Sequence, residues 1–213
     1  MTDAGCPIGP GGYPSDCDVT QGLLARSRVR DQAASRGPAW QNALAKAAGI
    51  KLLLLDVDGV LTDATIVYTH SGTEMKAFST KDGFGIRILQ EIGVAVGVIT
   101  ARSSEAVRRR AEDLKLAHVY QGIRNKIEVF EQILAKEGLT PAQVAYMGDD
   151  WLDLPLLIRV GLAAAPADAV AEVREAAHYV ASVPGGRGAV REVCELIIAA
   201  QGKERELLEK YRR

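Results

Sequence analysis

Two aspartates stand two residues apart directly after four leucines: Leu52-Leu53-Leu54-Leu55 runs into Asp56-Val57-Asp58-Gly59-Val60-Leu61-Thr62-Asp63. On an extended backbone residues i and i+2 project to one side, so Asp56 and Asp58 are aimed into a crevice while Val57 packs behind. Adjacent carboxylates repel, and one pKa rises unless a cation lies between them. Such a pair asks for a hard metal ion bound through oxygen, and Mg²⁺ fits best. Three further groups stand at equivalent places. Thr100-Ala101-Arg102 follows the apolar run Val94 to Ile99 and offers a hydroxyl and N–H groups at a helix start, where phosphate binds well. Lys126 opens a helical stretch, and Gly148-Asp149-Asp150-Trp151-Leu152-Asp153 adds an acidic cluster able to complete a metal site. Each alone has a plainer reading as a turn, a cap or a solvated charge. The order of all four, each after a buried strand or at a helix start, is what points to phosphate chemistry.

The elements that must hold these residues alternate. Leu52 to Leu55 and Val94 to Ile99 read as strands buried on both faces, and Val119 to Gln121 and Val144 to Met147 as further strands. Between them run helical patterns: one carries Ile86, Ile88, Leu89 and Ile92 behind a cap at Asp82, one carries Ala106, Val107, Ala111 and Leu114 behind Ser103, and one spans Lys126 to Lys136 behind Asn125 and stops at Gly138. Thr140-Pro141-Ala142-Gln143 combines a cap residue, a proline and a glutamine reaching back. Ala64 to Thr69 and Glu74 to Ser79 form a hairpin around His70-Ser71-Gly72-Thr73. Two weaker β/α units follow, and then a long helix from about Gly188 into the charged tail, with Glu206 and Lys210 one turn apart. The sum is an α/β fold: a Rossmann-like parallel sheet with helices on both faces, a small β-hairpin after the first strand and no large cap domain. Ligands of such a sheet bind beyond the carboxyl ends of its strands, where all four groups lie.

The four groups resemble the motifs of the haloacid dehalogenase superfamily of phosphatases. Glu74 to Gly83 with Gly85-Ile86-Arg87, Val119-Tyr120-Gln121-Gly122, Val144 to Asp150 and Pro184-Gly185-Gly186-Arg187-Gly188-Ala189-Val190-Arg191-Glu192-Val193-Cys194 further resemble the 3-deoxy-D-manno-octulosonate 8-phosphate phosphatase family. The likeness covers about residues 44 to 203. It implies a capless, Mg²⁺-dependent homotetramer that hydrolyses this sugar acid phosphate in lipopolysaccharide precursor synthesis. It also implies Asp56 as nucleophile, Asp58 as acid and base, Thr100 and Lys126 on the phosphoryl oxygens, and Mg²⁺ on Asp56, Asp58 and Asp149. Asp150 would orient Lys126 or bound substrate. Substrate contacts are implied for Ser79, Thr80, Lys81, Asp82, Gly83, Arg87, Arg102 and Arg110, with Arg187 reaching its own or a neighbouring active site. Ser79 and Lys81 stand where the family often has Asn and Arg, and a lysine cannot grip a carboxylate bidentately. Trp151 is bulky for a place beside the metal cluster.

Composition is that of an ordinary globular chain: 213 residues, 26 Lys+Arg against 27 Asp+Glu, 47% hydrophobic. Charge so balanced leaves no footprint for nucleic acid or an anionic membrane, and no apolar run approaches a membrane span. The first residues lack a basic and apolar leader pattern, so the expected setting is cytoplasmic. Cys6, Cys17 and Cys194 form no CxxC pair and read as free thiols, Cys194 in the core. The chain divides into a flexible extension over 1–38, a phosphatase domain over 39–203 and a charged helical tail over 204–213. Two rivals stay in view. A signalling receiver domain uses a similar acidic pair, Thr and Lys, but places its phosphorylated aspartate after the third strand, where Val119-Tyr120-Gln121-Gly122 has none. A non-catalytic binding module of the same fold would have no use for Asp58. A phosphatase of another sugar acid phosphate is the nearer alternative.

Overall fold

The computed structural model describes residues 37–212; the expected extension up to residue 36, with Cys6 and Cys17, lies outside the described residues. Helix α1 (Pro38–Ala47) leads into strand β1 (Leu52–Leu55), the hairpin strands β2 (Val67–Tyr68) and β3 (Glu74–Met75), and helix α2 (Thr80–Glu91). Then follow β4 (Ala95–Ile99), α3 (Glu105–Leu114), β5 (His118–Tyr120), α4 (Lys126–Glu137), β6 (Val144–Met147), α5 (Leu154–Leu157), β7 (Leu162–Ala165), α6 (Ala171–Ala176), β8 (Tyr179–Val180), α7 (Ala189–Ala200) and α8 (Glu204–Tyr211). Six strands form one parallel sheet in the order β5-β4-β1-β6-β7-β8.

Register explains why chemistry gathers at one rim. Leu55 stands opposite Val98 on β4 and Met147 on β6, so Asp56, Thr100 and Gly148 emerge together. The leucines of β1 divide between two cores: Leu53 and Leu55 pack on the side of α1, α2 and α7, and Leu52 and Leu54 pack with Val129, Phe130, Ile133 and Tyr146 on the side of α4. All four are fully buried, each contributing about 1.5–3 kcal/mol. Cys194 lies in the first core as a free thiol, and burial pushes its pKa up.

Several local expectations change. The hairpin pairs over two residues per strand, with Tyr68 opposite Glu74. Among the described residues no third strand covers it, and Ile66, Val67, Tyr68 and Met75 are exposed. Helix α2 is capped by Ser79, whose Oγ accepts from Asp82 N at 3.3 Å. Asp82, expected as that cap, is buried and accepts instead from Gly188 N (3.2 Å) and Arg191 N (2.8 Å), capping α7 from across the fold. Burial raises its pKa, and these N–H donors oppose that. The cap of α3 is Ser104 rather than Ser103. The expected long carboxyl-terminal helix breaks at Gly202, φ 68°. Lys210 then pairs with Glu91 (2.7 Å) and Glu206 with Lys203 (2.9 Å), not with each other. The box at Thr140 forms as read, Thr140 N donating to Gln143 Oε1 at 3.0 Å. Among the described residues no helix is long and apolar enough to cross a membrane.

Candidate active site

The site is assembled by the loop after β1 and the turn after β6. Val57 O accepts from Leu61 N (2.9 Å), Thr62 N (3.1 Å) and Val60 N (3.3 Å), curling residues 57–62 into a tight turn. Buried Thr62 closes it with Oγ1 near Gly59 N and Ala64 N, each 3.4 Å. Gly59 has φ 81°, and an added Cβ would overlap the Asp149 carboxylate. Only glycine lets the two acidic loops close on one another there.

Asp56, Asp149 and Asp153 each offer a carboxylate oxygen within 4.8 Å of the others. Lys126, its side chain 2% exposed at the start of α4, sets its ammonium 3.1 Å from Asp56 Oδ2 and 2.7 Å from Asp153 Oδ1. It also donates to Tyr146 OH at 3.0 Å, while that hydroxyl donates to Asp153 Oδ1 at 2.6 Å. Asp153 Oδ2 accepts from Asp149 N (2.9 Å) and Asp150 N (3.3 Å). With four donors on its two oxygens, Asp153 is spent on structure. It ties the acidic turn to Lys126, a task the sequence reading gave to Asp150. Asp150 is exposed and Asp150 Oδ1 accepts from Trp151 N at 2.7 Å. Trp151 points outward, 62% exposed, and does not narrow the site.

Three carboxylates thus face one ammonium, which leaves two negative charges uncompensated. Burial, then repulsion from Asp153 and Asp56, pushes Asp149 up to about 8. Burial and Asp153 push Asp56 up to about 6 against the pull of Lys126. Burial alone would lower the Lys126 pKa, but Asp56 and Asp153 outweigh it and raise it. Burial also raises the Tyr146 phenol. An all-oxygen donor set with this charge deficit fits a hard divalent cation. Asp56 and Asp149 retain the lone pairs to hold it.

Asp58 faces a different group. Its carboxylate pairs with Lys76, whose ammonium also lies 2.9 Å from Glu74 Oε1, and stands 3.8 Å from Arg102 Nε. Arg102 is gripped by Glu74 at 2.6 Å, which raises its pKa. Thr100 is buried, and its Oγ1 accepts from Arg102 N at 3.3 Å. Ser79, Thr80 and Lys81 line a hollow with Asp63, Gly186 and Arg187. Gly83, Arg87 and Arg110 line a second one beside Phe84, and Arg110 donates to Ser79 O at 3.1 Å. Neither Arg87 nor Arg110 pairs with the acidic cluster among the described residues. Arg187 meets Asp63 at 3.4 Å.

Two residues were not singled out by sequence. Asp153 was one of an acidic triplet, and only its spacing from Gly148 hints at a return to the strand end. Lys76 directly follows β3, two residues after Glu74, a spacing that brings opposite charges together, but its partner Asp58 is 18 residues away.

No family model matches the chain. It is 46% identical over 167 residues to the 3-deoxy-D-manno-octulosonate 8-phosphate phosphatase of Escherichia coli K12, covering 78% of this chain and 89% of that protein. Among solved structures it resembles a probable phosphatase from Pseudomonas syringae pv. phaseolica (43% identity, TM-score 0.80, 81% of this chain and 98% of that one). It also resembles the 3-deoxy-D-manno-octulosonate 8-phosphate phosphatase of Moraxella catarrhalis, solved with magnesium, phosphate and KDO (38% identity, TM-score 0.77, 79% and 97%).

Proposed function

Because the chain belongs to the 3-deoxy-D-manno-octulosonate 8-phosphate phosphatases of the haloacid dehalogenase superfamily, we propose that its substrate is that sugar acid phosphate, cleaved in lipopolysaccharide precursor synthesis. It is a phosphoric monoester hydrolase that uses Mg²⁺. The observation that carries the reading is the apposition of Asp56, Asp149 and Lys126 at the carboxyl end of the central strand.

Asp56 is the nucleophile. Its carboxylate oxygen attacks phosphorus, and the bond from phosphorus to the sugar oxygen breaks with its electrons going to that oxygen. Asp58 supplies the proton, so the sugar leaves as an alcohol and Asp56 carries an aspartyl phosphate. Asp58 then takes a proton from water as the water oxygen attacks phosphorus, freeing phosphate and the Asp56 carboxylate. Lys126 and Thr100 orient and neutralise the phosphoryl oxygens, because positioning and charge supply most of the catalysis in phosphoryl transfer. Mg²⁺ would be held by Asp56, the Asp58 carbonyl and Asp149, and when bound it neutralises charge developing on the phosphoryl group. Arg102, Ser79, Thr80, Lys81, Gly83, Arg87, Arg110 and Asp150 are the proposed contacts to the sugar acid, whereas Asp82, buried against the start of α7, serves the fold. A homotetramer assembled through the hairpin, in the cytoplasm, completes the proposal. The exposed Ile66, Val67, Tyr68 and Met75 support such an assembly, and light scattering on the purified chain tests it.

Phosphate release across a panel of sugar phosphates, with Mg²⁺ and with EDTA, tests the function. The octulosonate 8-phosphate should be preferred, EDTA should abolish turnover, and Asp56→Asn should lower it by at least about 10³-fold. Equal rates on generic esters would sink the substrate; an undiminished Asp56→Asn would sink the mechanism.

A further inference from the structure

Most carboxylates of the acidic loops are fixed by backbone. Asp56 accepts from Val57 N (2.7 Å), Asp63 from Thr65 N (3.2 Å), and Asp153 from two N–H groups. Asp58 differs: among the described residues its carboxylate meets only two cations, Lys76 and Arg102. Arg102 stands off at 3.8 Å and is drawn away by Glu74 at 2.6 Å, with Tyr68 OH at 3.5 Å. Lys76 is in direct contact, its side chain 1% exposed, steadied on its far side by Glu74 at 2.9 Å. An ammonium so covered, with a carboxylate on each side, is turned toward Asp58 rather than offered to a ligand. It comes from the end of the hairpin, an element outside the main sheet.

We propose that Lys76 is a positioning residue: it fixes the Asp58 carboxylate where the proton must be handed to the departing sugar oxygen, so that the hairpin completes the general acid. The proposal rests on the phosphatase reading above. It implies that losing Lys76 harms the step in which an alkoxide must be protonated far more than a step in which the leaving group needs no proton, a bias that a merely structural lysine would not produce.

The test is single-turnover release of the leaving group, with full-length chain and Mg²⁺, from two substrates. One is the sugar acid phosphate; the other is the same sugar with sulfur as the bridging atom, whose thiolate departs without protonation. Lys76→Met keeps the apolar stem and removes the charge. It should slow release from the oxygen ester by about tenfold or more and from the sulfur analogue by under about threefold, with KM little changed and Lys76→Arg recovering part of the loss. Equal slowing of both substrates, or a raised KM with unaltered rate, would overturn the proposal. Should Lys76→Met melt below the assay temperature, Glu74→Gln, which frees one side of Lys76, decides by the same ratio: a bias of about threefold supports the role and none refutes it. Wild-type chain inert toward the oxygen ester refutes the substrate reading itself, whereas an active wild type with an unbiased variant refutes Lys76 alone.

Discussion

Two lysines serve two aspartates two residues apart, and the molecule holds them in opposite ways. Lys126 reaches Asp56 from the first turn of a helix packed on the sheet, with Tyr146 and Asp153 locking it in the interior. Lys76 reaches Asp58 from a hairpin of two-residue strands whose outer face is exposed. The first arrangement is fixed by the fold's core, because a buried charge network that lost a member would leave the others unpaired. The second depends on one carboxylate, Glu74, and on an element with little packing of its own. On the proposed mechanism the covalent step is therefore anchored in the sheet, and proton delivery depends on the hairpin. That division suits a capless enzyme, in which proton transfer must await the substrate.

The contrast is sharpened first where the effect is largest. Asp153→Ala takes one of two carboxylates from Lys126 and leaves a buried phenol O–H and two N–H groups without an acceptor, and should destabilise the metal-free chain by about 3 kcal/mol in denaturant unfolding. The next effect is linkage. Folded Asp149 and Asp56 hold protons up to about 8 and about 6, against 3.8 for the unconstrained carboxyl. The native state thus binds the extra protons, and the stability that these two groups contribute to the metal-free chain is greatest below the unfolded value and is lost as pH rises through these two pKa values. Mg²⁺ relieves that loss, so the Tm gained on adding it should be larger at about pH 8 than at about pH 5.5 by scanning calorimetry. An equal gain at both would mean that the ion is held elsewhere. Deleting one hydroxyl from each region compares them directly: Tyr146→Phe should cost about 1–3 kcal/mol, because its OH sits between Lys126 and Asp153. Tyr68→Phe, 61% exposed and 3.5 Å from Arg102, should cost under about 0.5 kcal/mol. Similar costs would break the distinction.

The same contrast governs what could be read from the chain. Leu52 to Leu55 and Val144 to Met147 are apolar on both faces, so strand position and the polar residues beyond them followed directly, as did Lys126 behind Asn125. Lys76 sits in an exposed-looking alternating stretch, and nothing local shows that Asp58 lies under it. Asp153 looks like one of several surface acids until Tyr146 is seen to reach the same point from the strand. Asp82 had the composition of a helix cap, but it caps a helix more than 100 residues later. Local chemistry is legible; partners chosen by the sheet's topology are not.

The glycine loop before α7 carries one last implication. Gly186 N donates to Val60 O at 2.9 Å, an added Cβ on Gly185 would overlap the Gly59 carbonyl, and Asp82 finishes the first turn of α7. The loop after β1 and the start of α2 are thus shaped by backbone more than a hundred residues further along the chain. Every side chain proposed to act on the phosphate or the sugar acid lies at or before Asp150, yet the backbone that braces their loops comes only with residues 185–191.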